Sequence, residues 1–293
     1  MIPITITDVR AVPGDSAFLI DDGKTAILYD SGFAFTGYRM AENIKKVLKA
    51  RSLDYILLTH SHYDHVLATP YITRVYPNAK IVAGEYADQI FQRSSAKAVM
   101  RELDSKAAQK HGITDYEDLI DNLKVDIAVQ DGDCITCGDF HVTVIALPGH
   151  TKCSVGYYLH ESKLLLGVET LGVYFGKNTY LPSFLVGYQS TLDAFRKVNQ
   201  LDIERILLPH YGVVDQEEMQ TYLKKSEAVT REAAQIVLAM FREGKTNDEI
   251  LTFFTERDYR DHVKPTYPID AFRLNTGIMI ELVRKELMEQ SKQ

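Results

Sequence analysis

Six consecutive residues constrain this chain more than any others. They are His60-Ser61-His62-Tyr63-Asp64-His65, three imidazoles and a carboxylate in one short stretch. The apolar run from Asp54 to Thr59 before them reads as a buried strand. From Val66 to Val75 after them, apolar residues recur at helical spacing. The cluster therefore sits where a strand ends and a helix begins, on a loop that a rigid scaffold can aim. Imidazole and carboxylate are the usual nitrogen and oxygen ligands of zinc, iron and manganese. Alternate residues share a side, so His60 and His62 point the same way, and Asp64 and His65 continue around the turn toward a second ion.

Composition narrows the class. The chain has 293 residues, 45% hydrophobic and 25% charged, which suits one large domain or a domain with an addition. A net charge of −7 argues against a phosphate-tracking surface. Residues 1–10 lack a basic stretch followed by a long apolar one, so no signal peptide is expected. No apolar run approaches the length of a membrane span. Three cysteines do not suggest a disulfide framework. Cytoplasmic localisation is the resulting expectation.

Further along, the chain alternates strands and helices. Ala17–Ile20 and Thr25–Tyr29 are apolar runs separated by Asp21-Asp22-Gly23, a hairpin signal. Asp30 closes the second run, either as a turn-initiating residue or as a carboxylate that orients the ligand loop. Residues 40–50 read as an amphipathic helix and Lys80–Ala83 as a strand. Residues 85–122 turn helical, as two or three helices that either overhang a site or simply elaborate the surface. His111 reads as a cation at a helix end. Residues 125–172 are a run of strands. Cys134-x-x-Cys137 is read as two incidental thiols and Cys153 as a small packed one. Leu192–Leu201 is a helix and Ile203–Leu208 a strand. Residues 216–293 look helical, Thr246 to Glu249 forming a capping box that opens one helix. His262 reads as a surface residue.

His-x-His-x-Asp-His after an apolar strand resembles the signature of the metallo-β-lactamase-fold hydrolases. Four more stretches resemble that family's landmarks, in order. They are Tyr29-Asp30-Ser31-Gly32, Leu147-Pro148-Gly149-His150-Thr151, Leu164 to Thr170, and Leu207-Leu208-Pro209-His210-Tyr211-Gly212. The match runs from about residue 10 to 215. The resemblance implies an α/β fold, a four-layer αββα sandwich, with a C-terminal helical extension. The implied domains are 1–215, with a helical insertion at about 85–122, and 216–293 as a helical cap packed on it. Glyoxalase II-like and quinolone-signal thioesterases have a similar architecture.

The resemblance also implies two divalent metal ions, zinc first and iron or manganese as alternatives. His60, His62 and His150 would hold one. Asp64, His65 and His210 would hold the other, with Glu169 shared and Asp30 behind them. The family usually carries Gly-Asp where this chain has Val168-Glu169, a longer carboxylate behind a bulkier residue. Between Gly172 and Ser190 lie Tyr174, Phe175, Tyr180, Phe184 and Tyr188. These rings either line a substrate pocket or pack the C-terminal helices.

The implied activity is a binuclear metal-dependent hydrolase, in which a metal-bridging hydroxide, oriented by Asp64, opens a small ester, thioester or lactone. A phosphodiesterase of the same superfamily and a non-enzymatic metal-binding regulatory protein are the alternatives. The flavodiiron oxygen reductases share the fold but carry a glutamate where this chain has His62. The expected partner is a small-molecule substrate, with no nucleic acid and no membrane, and a homodimer is left open.

Overall fold

The computed structural model describes residues 2–289. It divides into two compact units, Met1–Ala146 with Cys153–Gly167, and Leu147–Lys152 with Val168–Gln293. Met1 and residues 290–293 of the expected domains lie outside the described residues.

In the first unit, β1 (Thr5–Asp8), β2 (Phe18–Asp21) and β3 (Ala26–Tyr29) form an antiparallel meander. The hairpin read from Asp21-Asp22-Gly23 pairs Phe18 with Tyr29. Helix α1 (Gly37–Leu48) crosses to β4 (Tyr55–Leu58), which pairs parallel with β3 and ends at the ligand loop. That loop opens into α2 (Tyr63–Val66) and α3 (Thr69–Val75), two short helices where the apolar spacing suggested one. Pro70 lies in the first turn of α3, where its missing N–H costs nothing. β5 (Lys80–Gly84) adds a further parallel strand. The insertion holds α4 (Glu85–Phe91) and α5 (Ser94–Lys110), followed by an extended segment. β6 (Ile127–Val129) completes the sheet. Met40, Ala41, Ile44 and Leu48 of α1, Tyr71 and Ile72 of α3, and Phe91 of α4 bury against Leu28, Ile56, Leu58 and Ile81.

Strands β7 (Cys134–Cys137), β8 (Phe140–Ala146), β9 (Val155–Leu159) and β10 (Leu164–Leu166) follow as antiparallel neighbours. Hydrogen bonds tie these strands to the first sheet. Tyr157 Oη donates to the Leu58 carbonyl at 2.8 Å and Tyr29 Oη to the Gly167 carbonyl at 2.6 Å. All three cysteines are free. Cys134 is exposed and Cys137 buried, and burial pushes the Cys137 thiol up to about 12, which leaves it inert.

The insertion is anchored by a feature that had no sequence signal. Asp104 of α5 is 1% exposed. It accepts from the Ala34 N–H at 2.9 Å and from Tyr116 Oη at 2.6 Å. Beside it, Ala107 and Ala108 pack with Phe33, Phe35 and Tyr63, and Tyr63 belongs to the ligand loop. His111 caps the helix end as expected and lays its ring on Phe35, 5.5 Å between centroids.

Desolvation lifts the Asp104 carboxyl from 3.8 to about 6, and its hydrogen bonds only partly oppose that. The fold therefore prefers the neutral acid. The stability this gives is fully present below the unfolded value of 3.8 and is lost as pH rises through about 6, an effect on the order of 2–3 kcal/mol. Asp104→Asn keeps an acceptor for Ala34 and removes the charge. Urea unfolding as a function of pH should show the variant equal to or more stable than the parent at neutral pH. Its stability curve should be flatter between about pH 4 and 7. An unchanged slope would show that Asp104 is not the group that titrates.

In the second unit, β11 (Val173–Tyr174) and β12 (Tyr180–Leu181) form a short hairpin, followed by α6 (Tyr188–Val198). A second hairpin joins β13 (Arg205–Leu208) to β14 (Gly212–Val213), with His210 in the turn. Three helices follow, α7 (Tyr222–Arg242), α8 (Asn247–Asp258) and α9 (Ile269–Val283). The Thr246–Glu249 capping box is present, each residue bonding the other's backbone N–H. The expected boundary at 215 falls inside this unit. The reason is a shared core, in which Phe184, Tyr188 and Leu192 pack with Ala233 and Val237 of α7, Phe254 of α8 and Ile280 of α9.

Candidate metal centre

Within the first unit, His60, His62, Asp64 and His65 converge. A donor atom of His60 lies within 4.8 Å of one on His62 and of one on His65. The His60 ring is 4.6 Å from His62 and 4.1 Å from His65, centroid to centroid. Asp64 Oδ2 lies 4.0 Å from His65 Nε2.

Asp30 organises this loop from behind. It is fully buried and adopts a left-handed backbone, φ 55°, which aspartate tolerates better than most residues. Its carboxylate accepts from Ser16 Oγ at 3.0 Å, the Thr59 N–H at 2.9 Å, Thr59 Oγ and His65 Nδ1 at 2.7 Å. An ionised carboxylate only accepts, so the Thr59 hydroxyl hydrogen points at Asp30. Thr59 Oγ must then accept the 2.9 Å bond from His60 Nδ1. Both rings thus carry their proton on Nδ1, and metal ligation falls to Nε2. This is the usual way a carboxylate fixes the tautomer of a metal-binding imidazole. Sequence reasoning found Asp30 but missed Thr59 and Ser16.

In the second unit, His150 follows Gly149, whose φ of +154° and close surroundings exclude a side chain. A Cβ there would stand 2.2 Å from Thr191 Oγ and 2.6 Å from Thr170 Cγ. Thr170 Oγ accepts the His150 N–H at 3.0 Å and donates to the Leu147 carbonyl at 2.7 Å. Ser183 Oγ lies 2.8 Å from His150 Nδ1, which again leaves ligation to Nε2. Gly149→Ala should cost about 2–4 kcal/mol of stability in thermal melts and lower metal content, because the anchor of His150 is displaced. A variant with parental stability and metal content would show that the loop gives way freely.

Glu169 opens a short 3-10 turn and is 5% exposed. Val168 before it is extended, φ −153°, so the usual glycine is not needed for backbone reasons. Its side chain is simply buried. Glu169 Oε1 lies 3.2 Å from His210 Nε2. Two ligands of one tetrahedral ion, each ~2.1 Å from it, stand about 3.4 Å apart. The pair therefore fits a shared ion. His210 itself is left-handed, φ 62°, in a turn closed by the Tyr211 N–H to the Pro209 carbonyl at 2.7 Å.

The aromatic residues expected at a pocket mouth are mostly core. Tyr174, Tyr180, Phe184 and Tyr188 are buried, and half-buried Phe175 rests on Tyr267. Tyr174 and Tyr211 donate to Asp215 at 3.1 and 2.9 Å, and Tyr180 donates to Glu218. Burial pushes the Tyr211 phenol up to about 12, with Asp215 adding to it. These phenols are neutral struts that hold the turn beside His210. Tyr174, Tyr180, Tyr211 and Tyr222 pack ring on ring.

Residues 12–210 match the family described as the metallo-beta-lactamase superfamily, and the chain belongs to it. Its α/β sandwich with a C-terminal helical region is that superfamily's fold. A metallo-beta-lactamase family protein of Thermus thermophilus superposes with a TM-score of 0.61 at 17% identity, covering 92% of this chain and 88% of that one. Glyoxylase B2 of Dictyostelium discoideum is 26% identical over 168 residues, 55% of this chain and 53% of that protein. The chain thus spans about half that relative's length. Hydroxyacylglutathione hydrolase GloC of Haemophilus influenzae is 24% identical over 57% of this chain and 71% of its own. Members of the superfamily bind divalent metals, and the donors described above are of that kind. Among the described residues, no helix is long and apolar enough to cross a membrane.

Proposed function

We propose that the chain is a binuclear metal-dependent hydrolase of a small thioester, ester or lactone. By the family resemblance, His60, His62 and His150 would hold one ion, and Asp64, His65 and His210 the other, with Glu169 as a further carboxylate ligand. The observation that carries this reading is the commitment of three imidazoles. His60, His65 and His150 each have Nδ1 engaged by an oxygen, from Thr59, Asp30 and Ser183. A chance cluster of histidines would not orient three rings through the same nitrogen.

Bound divalent ions supply Lewis acidity toward a carbonyl oxygen and lower the pKa of water at the site. The protein supplies the rest. Asp64, part exposed on the ligand loop, would accept a hydrogen bond from the attacking water and orient it. Asp30 and Thr59 keep the rings from turning. The relative named above is, by its name, a hydrolase of an acylated glutathione, which favours a carbonyl centre over a phosphoryl one. Zinc is the first choice of metal, since imidazole and carboxylate suit it.

Metal content by mass spectrometry tests the reading, on protein purified without chelator or nickel resin. About two ions per chain are expected, with turnover of thioesters or lactones. Replacing Glu169 by aspartate should reduce the second ion's occupancy. One ion, or turnover of bis-aryl phosphodiesters alone, would overturn the reading in its metal count or its substrate class.

A further inference from the structure

Helix α9 buries one side and exposes the other. Phe272, Thr276, Met279, Ile280 and Val283 face inward. On the outer side Leu274 is 63% exposed and Ile278 38%. Single exposed leucines are ordinary. Here the apolar positions recur at helical spacing and line one shallow groove with Arg273, Gly277, Glu281 and Leu282. A Cβ built on Gly277 would meet nothing within 4 Å. The face therefore has a notch at its centre, where another helix can come close.

Read in reverse about Gly277, the charges on this face are the opposite of themselves. Asp270 and Arg273 lie seven and four positions before Gly277, and Glu281 and Arg284 lie four and seven after it. An antiparallel second helix crossing at Gly277 sets Arg273 opposite Glu281 and Asp270 opposite Arg284. A two-fold axis makes each pair twice, as a self-complementary interface requires. Lys285, one position further along, reinforces the end facing Asp270. A parallel pairing would set like charge against like. Antiparallel helices also oppose their dipoles. In the single chain Glu281 accepts from Asn247 and Arg284. Arg273 makes no ion pair among the described residues, so it is the cation available to a second copy's Glu281.

We infer that this face is where a second copy of the chain docks, α9 against α9 and antiparallel. Ile278 of each copy sits over Gly277 of the other, Leu274 flanks it, and the charges fix the register. A single helix pair buries less than about 1,200 Å², the low end for specific interfaces, so the dimer is weak, with a dissociation constant in the micromolar range.

Sedimentation of the full, metal-loaded chain from low to several hundred micromolar tests this. The parent should show a reversible monomer–dimer equilibrium. Ile278→Glu should remain monomeric throughout. Arg273→Glu changes an exposed side chain and leaves folding intact, which circular dichroism checks. It should weaken association about tenfold or more. Combining it with Glu281→Arg should restore association, because the charges are exchanged in register. A monomeric parent overturns the inference. So does an Ile278→Glu protein that dimerises like the parent, or an exchanged pair that fails to recover. Unaltered metal content in these variants keeps the result independent of the hydrolase reading.

Discussion

His62→Ala is expected to lower kcat/KM by about a thousandfold or more, close to 4 kcal/mol of transition-state stabilisation, with little change in fold stability. His62 precedes the first turn of α2 and is only part buried. Its ring stands edge-on to His60. Removing it deletes one imidazole from the proposed three-histidine set and leaves the Asp30–Thr59 support of its neighbours intact. Metal content should fall, and the melting temperature of the chelated protein should match the parent's. Both readouts matter, because a folded protein without its ion separates a ligand from a packing residue. Full activity in this variant would sink the proposed mechanism.

The ligand loop was legible because its chemistry is concentrated. Polar residues of that kind after an apolar strand have few other uses. The β2–β3 hairpin and the Thr246–Glu249 cap were legible for a similar reason, since turn and cap signals act over three or four residues. Long-range polar partners left no such trace. Ser183 meets His150 from 33 positions away and Asp104 meets Ala34 from 70, and neither serine nor aspartate advertises its partner. The helix read over Val66–Val75 splits because Pro70, in the first turn of α3, has no N–H to bond the Val66 carbonyl and continue α2. The tyrosines after Gly172 were ambiguous in principle. A ring with a polar tip suits a pocket mouth or a core equally well, until a buried carboxylate such as Glu218 is found to receive it.

Asp30→Asn is expected to leave the chain folded and to weaken metal binding at His65. Asparagine tolerates the left-handed backbone that Asp30 adopts, so the change isolates chemistry from conformation. The amide oxygen can still accept from the Thr59 N–H and hydroxyl, which meet Oδ1. The amide nitrogen then faces Ser16 Oγ and His65 Nδ1, where Oδ2 had accepted. Two donors cannot share that contact, so His65 must move its proton to Nε2 and present no lone pair there to a metal. Losing one charge-assisted bond in a buried network costs about 1–3 kcal/mol. Metal affinity should fall by about 10–100-fold, the usual loss when such a support is removed. Asp30→Ala should do worse, costing about 3–5 kcal/mol, because Ser16, Thr59 and His65 all lose their acceptor in a fully buried place. Metal titration and chemical unfolding of the two variants distinguish the roles. If Asp30→Asn binds metal like the parent, the carboxylate is a structural brace and does not select the tautomer of His65.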